Sequence, residues 1–368
     1  MHIGLSLTFQ NVDGAQSDQQ VWEEELALVD RAVELGFDGI WATEHHFTDY
    51  EVTPDALQFL TYVAGRHPGI ALGTMAVILP WHDPVRVAEQ ISVLDNLSRG
   101  RLTLAIGRGL GKSEFEGLRI PMEQSRERFL EIAHIVLDAL ETGVLRSHGA
   151  IFEQPERRLR PSPYASFRSR TYAAAMSPES FEILAELGVG TLIFANKSWA
   201  DVGTDLERYR EAYRAHNDGR EPPAPIANTF AVCAADADTA AARADRCMNN
   251  YYGALLKHYG FTRGAFNATK GYEHYDRIST SFAERGTDPA IEEYIGAQIW
   301  GTPEQCIEKV VSMQGHVGAD TLTLNFRYGS IPIEEALEGM TLFAREAMPT
   351  LQALPSATER ALGASSVR

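Results

Sequence analysis

Residues 70–107 read IALGTMAVILPWHDPVRVAEQISVLDNLSRGRLTLAIG. The run Ile70–Leu79 is nearly continuous in apolar residues, as expected of a strand buried on both faces. Pro84 stands where a helix accepts proline, at its first position, and VRVAEQISVLDNL follows with helical spacing. Gly100 then introduces a second apolar run, GRLTLAIG (100–107). A strand, a helix and a strand in that order form a βαβ unit, which makes the two strands parallel.

The same rhythm extends in both directions. Strands are expected at 2–9, 37–43, 171–175, 189–195, 226–234 and 320–326. Ser17 offers an N-cap to a helix that stops at Gly36, and Pro54 is read as opening the next helix. Further helices are expected at 123–142, 178–187, 203–216, from Asp236, and after Pro332. Thr302-Pro303-Glu304-Gln305 spells a capping box with proline at the first helical position. Eight strands, each followed by a helix, fit a single (β/α)8 TIM barrel over residues 1–352; a doubly wound sheet is the alternative. Two stretches break the pattern: 145–170, rich in proline and arginine, reads as an insertion, and 258–290 reads as an irregular, mobile lid. Residues 353–368 are small and polar and read as a disordered tail.

Of the 368 residues, 44% are hydrophobic, and the formal charge is −17. That balance argues against nucleic acid and anionic membrane as partners. No run is long enough to span a bilayer, and MHIGLSLTF has no basic leader segment. Cys233, Cys247 and Cys306 are odd in number and widely spaced, which fits a cytoplasmic location.

In such a barrel the active site lies at the C-terminal ends of the strands. Strand two ends in Glu44-His45-His46. A metal there is disfavoured, because neighbours on a strand point to opposite faces and the H-E-x-x-H spacing is absent. Strand four ends in GRGLG (107–111), where glycine amides and Arg108 suit a phosphate. Strand five ends in MSPES (176–180), a helix start with two hydroxyls, Ser177 and Ser180. Arg126, in SRERF, is a second candidate cation, and Arg327 ends strand eight. One phosphate held by Arg108, Arg126 and the Ser177 helix start is the sharpest reading of these features.

TEHHF (43–47), residues 73–109, SRERF (125–129), GTPEQCIEKV (301–310) and LFAREAMPTL (342–351) together resemble the bacterial luciferase-like flavin-dependent monooxygenases. The resemblance covers about residues 1–352. It implies a barrel that takes reduced FMN from a separate flavin reductase and reacts it with O2. The resulting flavin C4a-hydroperoxide oxygenates an aldehyde, a ketone or another small molecule. It implies His45 as the catalytic residue. As cofactor-binding residues it implies Glu44, Met75, Ala76, Arg108, Leu110, Arg126, Met176, Ser177 and Ser180. A non-proline cis peptide is implied at Met75–Ala76, and a homodimer through Pro84–Leu97. Apolar walls are expected from Trp41, Met75, Ile106 and Phe194. The chain departs from the family at Gly107, Met176 and Gly111, which replace a cysteine, an acid and a tyrosine; smaller residues there imply more room beside the ring. A deazaflavin-dependent hydride transferase and a non-catalytic flavin-binding subunit are the rival readings.

Overall fold

The computed structural model describes residues 1–175, 177–267 and 269–356. The Met176 assignment and most of the expected tail fall outside these residues.

Eight strands pair in parallel: β1 (His2–Leu7), β2 (Gly39–Ala42), β3 (Ala71–Thr74), β4 (Leu102–Gly107), β5 (Thr171–Ala174), β6 (Gly190–Phe194), β7 (Ile226–Cys233) and β8 (Thr321–Asn325). Each pairs with the next, and β8 returns to β1 in the register His2↔Thr321. The sheet is therefore a closed barrel, and the doubly wound alternative is set aside. Val77–Ile78 extends β3 against β4, and Ile299–Gly301 pairs with the end of β7.

Helices wrap the outside: α1 (Asp18–Leu35), α2 (Ala56–Arg66), α3 (Pro84–Ser98), α4 (Lys112–Gly117), α5 (Ser125–Thr142), α6 (Pro178–Leu187), α7 (Trp199–His216), α8 (Ala237–Tyr259), α9 (Glu273–Arg285), α10 (Asp288–Ala297), α11 (Pro303–Val317) and α12 (Ile333–Glu346). Their ends follow local chemistry. The Ser17 hydroxyl accepts from the Gln20 N–H, a cap worth about 1 kcal/mol. Thr302 and Gln305 close the expected capping box on α11. Pro54 does not open α2. The helix begins at Ala56, because the Asp55 carboxylate accepts from the Gln58 N–H and takes the cap position.

Inside the barrel, Trp41 lies across β1, β2 and β3. A Cβ at Gly73 would meet its indole at 2.1 Å and one at Gly4 at 2.8 Å, so glycine on the flanking strands makes room for the ring. Above it, Asn228 donates to Ser6 Oγ at 3.0 Å and to Thr323 Oγ1 at 2.9 Å, tying β7 to β1 and β8.

The insertion folds as an antiparallel hairpin, Val144–His148 with Glu153–Arg158. The stretch 258–290 is not irregular: it carries α9 and the start of α10. Phe261, Phe266, Tyr272 and Tyr275 from this stretch form a separate apolar cluster with Phe115 and Met122. The described residues contain no helix long and apolar enough to cross a membrane. All three cysteines are buried and free.

Candidate active site

The loop after β2 is pinned to the end of β1 by Val52 N–H to Phe9 O at 3.0 Å and Asn11 N–H to Asp49 O at 3.1 Å. It carries Glu44, His45, His46 and Glu51 around the barrel mouth. Glu44 is buried and fully engaged. Its Oε2 accepts from the Ile78 N–H at 3.0 Å, and its Oε1 meets His82 Nε2 at 2.7 Å and His46 Nε2 at 3.4 Å. Burial raises the Glu44 pKa, but His82 and His46 more than reverse this and hold it below the ordinary value. Glu44 therefore organises the β2 and β3 exits, and His46 faces this group.

His45 faces the other way. Its Nδ1 meets Glu114 Oε1 at 2.9 Å, and the same oxygen accepts the His46 N–H at 2.9 Å. Its Nε2 lies 3.8 Å from Glu51 Oε2. Burial pulls the His45 pKa down, yet Glu51 and Glu114 outweigh it and raise it to about 9. Burial pushes Glu114 up, but His45 and His258 bring it down to about 2. His45, Glu114 and His258 set three donor atoms within 4.8 Å of one another. His45 is hydrogen-bonded to Glu114, while His258 Nε2 lies 3.4 Å from Glu114 Oε2.

A cavity of about 310 Å³ opens beside His45. Met75, Leu110, Asn228 and Asn325 line its barrel side. Tyr50, Phe194, Phe230, Tyr251, Tyr259 and Tyr275 make much of its wall aromatic. The peptide Met75–Ala76 is cis, where the resemblance puts one. Ile106 belongs instead to the main core, and Trp41 packs with Met75 and Ala76 in the barrel interior rather than lining the cavity. At Gly107 and Gly111 the expected extra room is absent. A Cβ at Gly107 would meet Ile78 Cδ1 at 2.7 Å, and one at Gly111 would meet Glu114 Oε2 at 2.1 Å. Neighbouring side chains have filled the space that the small residues left.

Arg108 and Arg126 come together. Arg108 Nη1 donates to Gly271 O at 2.7 Å, and Arg126 Nη2 reaches the same oxygen at 3.3 Å. Arg108 also stacks 4.2 Å over the Tyr272 ring. Neither guanidinium has a carboxylate within 4.0 Å among the described residues, and Arg126 Nε is buried without a hydrogen-bond partner. Ser177 stands at the N-cap of α6, but its hydroxyl caps no backbone amide and meets Ser180 Oγ at 2.8 Å. Arg108 follows β4 and Ser177 follows β5, two paired strands. Neither arginine lines the cavity, but Leu110, two residues after Arg108, and Tyr275, three residues after the Tyr272 on which Arg108 stacks, both do.

Arg327 does not join the mouth. It turns outward and is buried against Glu24 and Glu25 of α1. Lys197 likewise pairs with Asp205 of α7, whereas Asn196 lines the cavity. Glu51, Glu114 and His258 were not legible as site residues in the sequence. The one available signal was Glu114 itself, which stands three residues past the glycine-rich loop.

A family model described as luciferase-like monooxygenase matches residues 1–320. The alkanal monooxygenase alpha chain of Photobacterium leiognathi is 29% identical over 357 residues, covering 94% of this chain and 98% of that one. Among solved structures, the monooxygenase RslO1 from Streptomyces bottropensis matches with a TM-score of 0.79 at 26% identity, over 95% of this chain and 100% of that chain. The oxygenating constituent of 3,6-diketocamphane monooxygenase from Pseudomonas putida was solved in complex with FMN as a type II Baeyer-Villiger monooxygenase. It shares the fold at a TM-score of 0.73 and 16% identity, over 95% of this chain and 98% of that chain.

Proposed function

We propose that this chain, an oxidoreductase that belongs to the luciferase-like monooxygenase family, is the oxygenating component of a two-component system. It would take reduced FMN from a separate flavin reductase and use O2 to oxygenate a small aldehyde, ketone or natural-product-like molecule. One observation carries the reading: two guanidiniums without a carboxylate partner meet on the Gly271 carbonyl, and Leu110 and Tyr275, near in the chain to Arg108 and Gly271, line an aromatic cavity with His45.

The residues fit the cofactor. A phosphate is the anion that Arg108, Arg126 and the α6 start would accept, displacing the Gly271 carbonyl as their partner. Tyr50, Phe194 and Tyr275 offer flat apolar surface to a ring, and Met75 and Leu110 stand on the barrel side. Reduced FMN, when bound, supplies the electrons that activate O2. The chain supplies a dry wall that excludes water and one imidazolium, His45, able to give a proton from Nε2. Glu114 fixes the ring, because an ionised carboxylate accepts only from an Nδ1–H. Glu44 holds the β2 and β3 exits in place around the cavity.

A homodimer through α3 belongs to the same reading. Val87, Ile91 and Leu94 face the barrel, while Val93 and Leu97 stay 40% and 59% exposed on the outer side.

The test is reconstitution. The protein, a flavin reductase and a panel of aldehydes, ketones and aromatic ketones are supplied with labelled O2. One labelled oxygen in a product, lost in His45→Ala in favour of hydrogen peroxide, is expected; general acid–base groups contribute about 10²–10⁴ in rate. Turnover without O2 on a reduced deazaflavin would overturn the proposal.

A further inference from the structure

We propose that Glu51 shares a single proton with His45 and acts as its positioning partner, holding that proton on the Nε2 side of the ring, the side turned away from Glu114. The inference deepens the monooxygenase reading and rests on it for its catalytic meaning.

Three carboxylates surround His45, and their geometry separates them. Glu44 has both oxygens engaged by His82, His46 and the Ile78 amide. Glu114 Oε1 takes His45 Nδ1 and the His46 amide. Glu51 differs: it is 2% exposed, it lines the cavity, and its Oε2 has no hydrogen-bond partner among the described residues. That oxygen lies 3.8 Å from His45 Nε2, longer than a hydrogen bond but close enough to close up with a small side-chain movement.

Tautomer logic then leaves one arrangement. Glu114 requires a hydrogen on Nδ1. A neutral His45 would turn the Nε2 lone pair toward an ionised Glu51 oxygen, and the two would repel. One proton between them removes the conflict, either as imidazolium with carboxylate or as imidazole with carboxylic acid. Two protons would leave the Glu114 ion pair as the only compensation for a buried cation.

The surroundings support the sharing. Facing His45 are Glu51, Glu114 and Glu44, the His258 ring and the Tyr50 and Tyr259 rings. Facing Glu51 are His45, the Thr43 hydroxyl, Glu114 and Glu25, with the phenols of Tyr50, Tyr251 and Tyr259. Glu25 is itself paired with Arg327. Burial lowers the His258 pKa, so His45 is the cation that Glu51 meets. Burial raises Glu51 to about 7 even with His45 opposing it. In use, the proton passes from His45 Nε2 to a basic oxygen in the cavity. The pair regains one from a product hydroxyl or water, and no electrons move.

The test is histidine-ring nuclear magnetic resonance on the full chain without flavin, with His45 assigned from the His45→Gln spectrum. Wild-type His45 should titrate near 9. Glu51→Gln should lower that by about one pH unit or more, and Glu51→Asp should restore part of it. A His45 titration unchanged in Glu51→Gln overturns the proposal. If Glu51→Gln does not fold, a Glu51→Asp titration identical to wild type overturns it equally. With reductase and FMN added, the pH profile of product against hydrogen peroxide should move by the same interval. Absence of any wild-type oxygenation would defeat the monooxygenase reading while the titration still decides the shared proton.

Discussion

His45 meets Glu114 through Nδ1 at 2.9 Å, and that contact turns its Nε2 toward Glu51, 3.8 Å away. Glu51 of the β2 exit and Glu114 of α4 thus set the orientation and charge of a single ring.

These charges make stability depend on pH. His45 has its folded pKa raised from 6.5 to about 9, so its contribution is complete below 6.5 and lost as pH rises through 9. Glu51, raised to about 7, favours the folded state below 4.5 and loses that contribution as pH rises through 7. Glu114, lowered to about 2, contributes above 4.5 and loses it as pH falls toward 2. Unfolding free energies from urea titrations should therefore fall between pH 6 and pH 10, by on the order of 2 kcal/mol more in wild type than in His45→Gln. Parallel curves would contradict the assignment.

Glu44 is a hub for two histidines and one backbone amide. Glu44→Ala should destabilise the fold by roughly 3 kcal/mol, because it leaves the Ile78 amide and two partly buried imidazoles without their acceptor. Glu44→Gln should cost less, since the amide oxygen can still accept from Ile78. A thermal midpoint within a degree of wild type for Glu44→Ala would refute this role.

The outer face of α3 predicts association. Val93→Glu with Leu97→Glu should convert a dimer to a monomer by light scattering at micromolar concentration, while circular dichroism stays unchanged. A wild-type monomer would end the dimer proposal.

Among the described residues, the segment 258–290 meets Arg108 and Arg126 through the Gly271 carbonyl and the Tyr272 ring. A phosphate that takes the arginines frees that carbonyl. Trypsin cleavage at Lys270 and Arg277 should therefore change in rate when FMN binds. Riboflavin, which lacks the phosphate, should leave it unaltered, and identical effects of the two flavins would contradict the exchange of partners.

The barrel was legible because the strands are short apolar runs and α1, α8 and α11 open on a Ser, Asp or Thr cap. The Pro54 start was misread because Asp55, one residue on, is the stronger cap. Helix α9 was missed because most of its residues are polar, with Tyr275 and Ser279 its buried positions. Arg108, Arg126 and Ser177 could be named because they sit at strand and helix ends. Glu51 and Glu114 could not: what makes them site residues is which oxygen faces which ring nitrogen. Gly107 and Gly111 show the same limit, since a lost side chain says nothing of the neighbour that fills its place.

The most direct measurement is anaerobic calorimetry of reduced FMN and reduced riboflavin with wild type and Arg108→Ala. Arg108→Ala should weaken reduced FMN by roughly 1.5–3 kcal/mol, the worth of a charge-assisted contact, and leave reduced riboflavin nearly unchanged. Equal weakening of both flavins, or no binding of reduced FMN to wild type, would contradict the account.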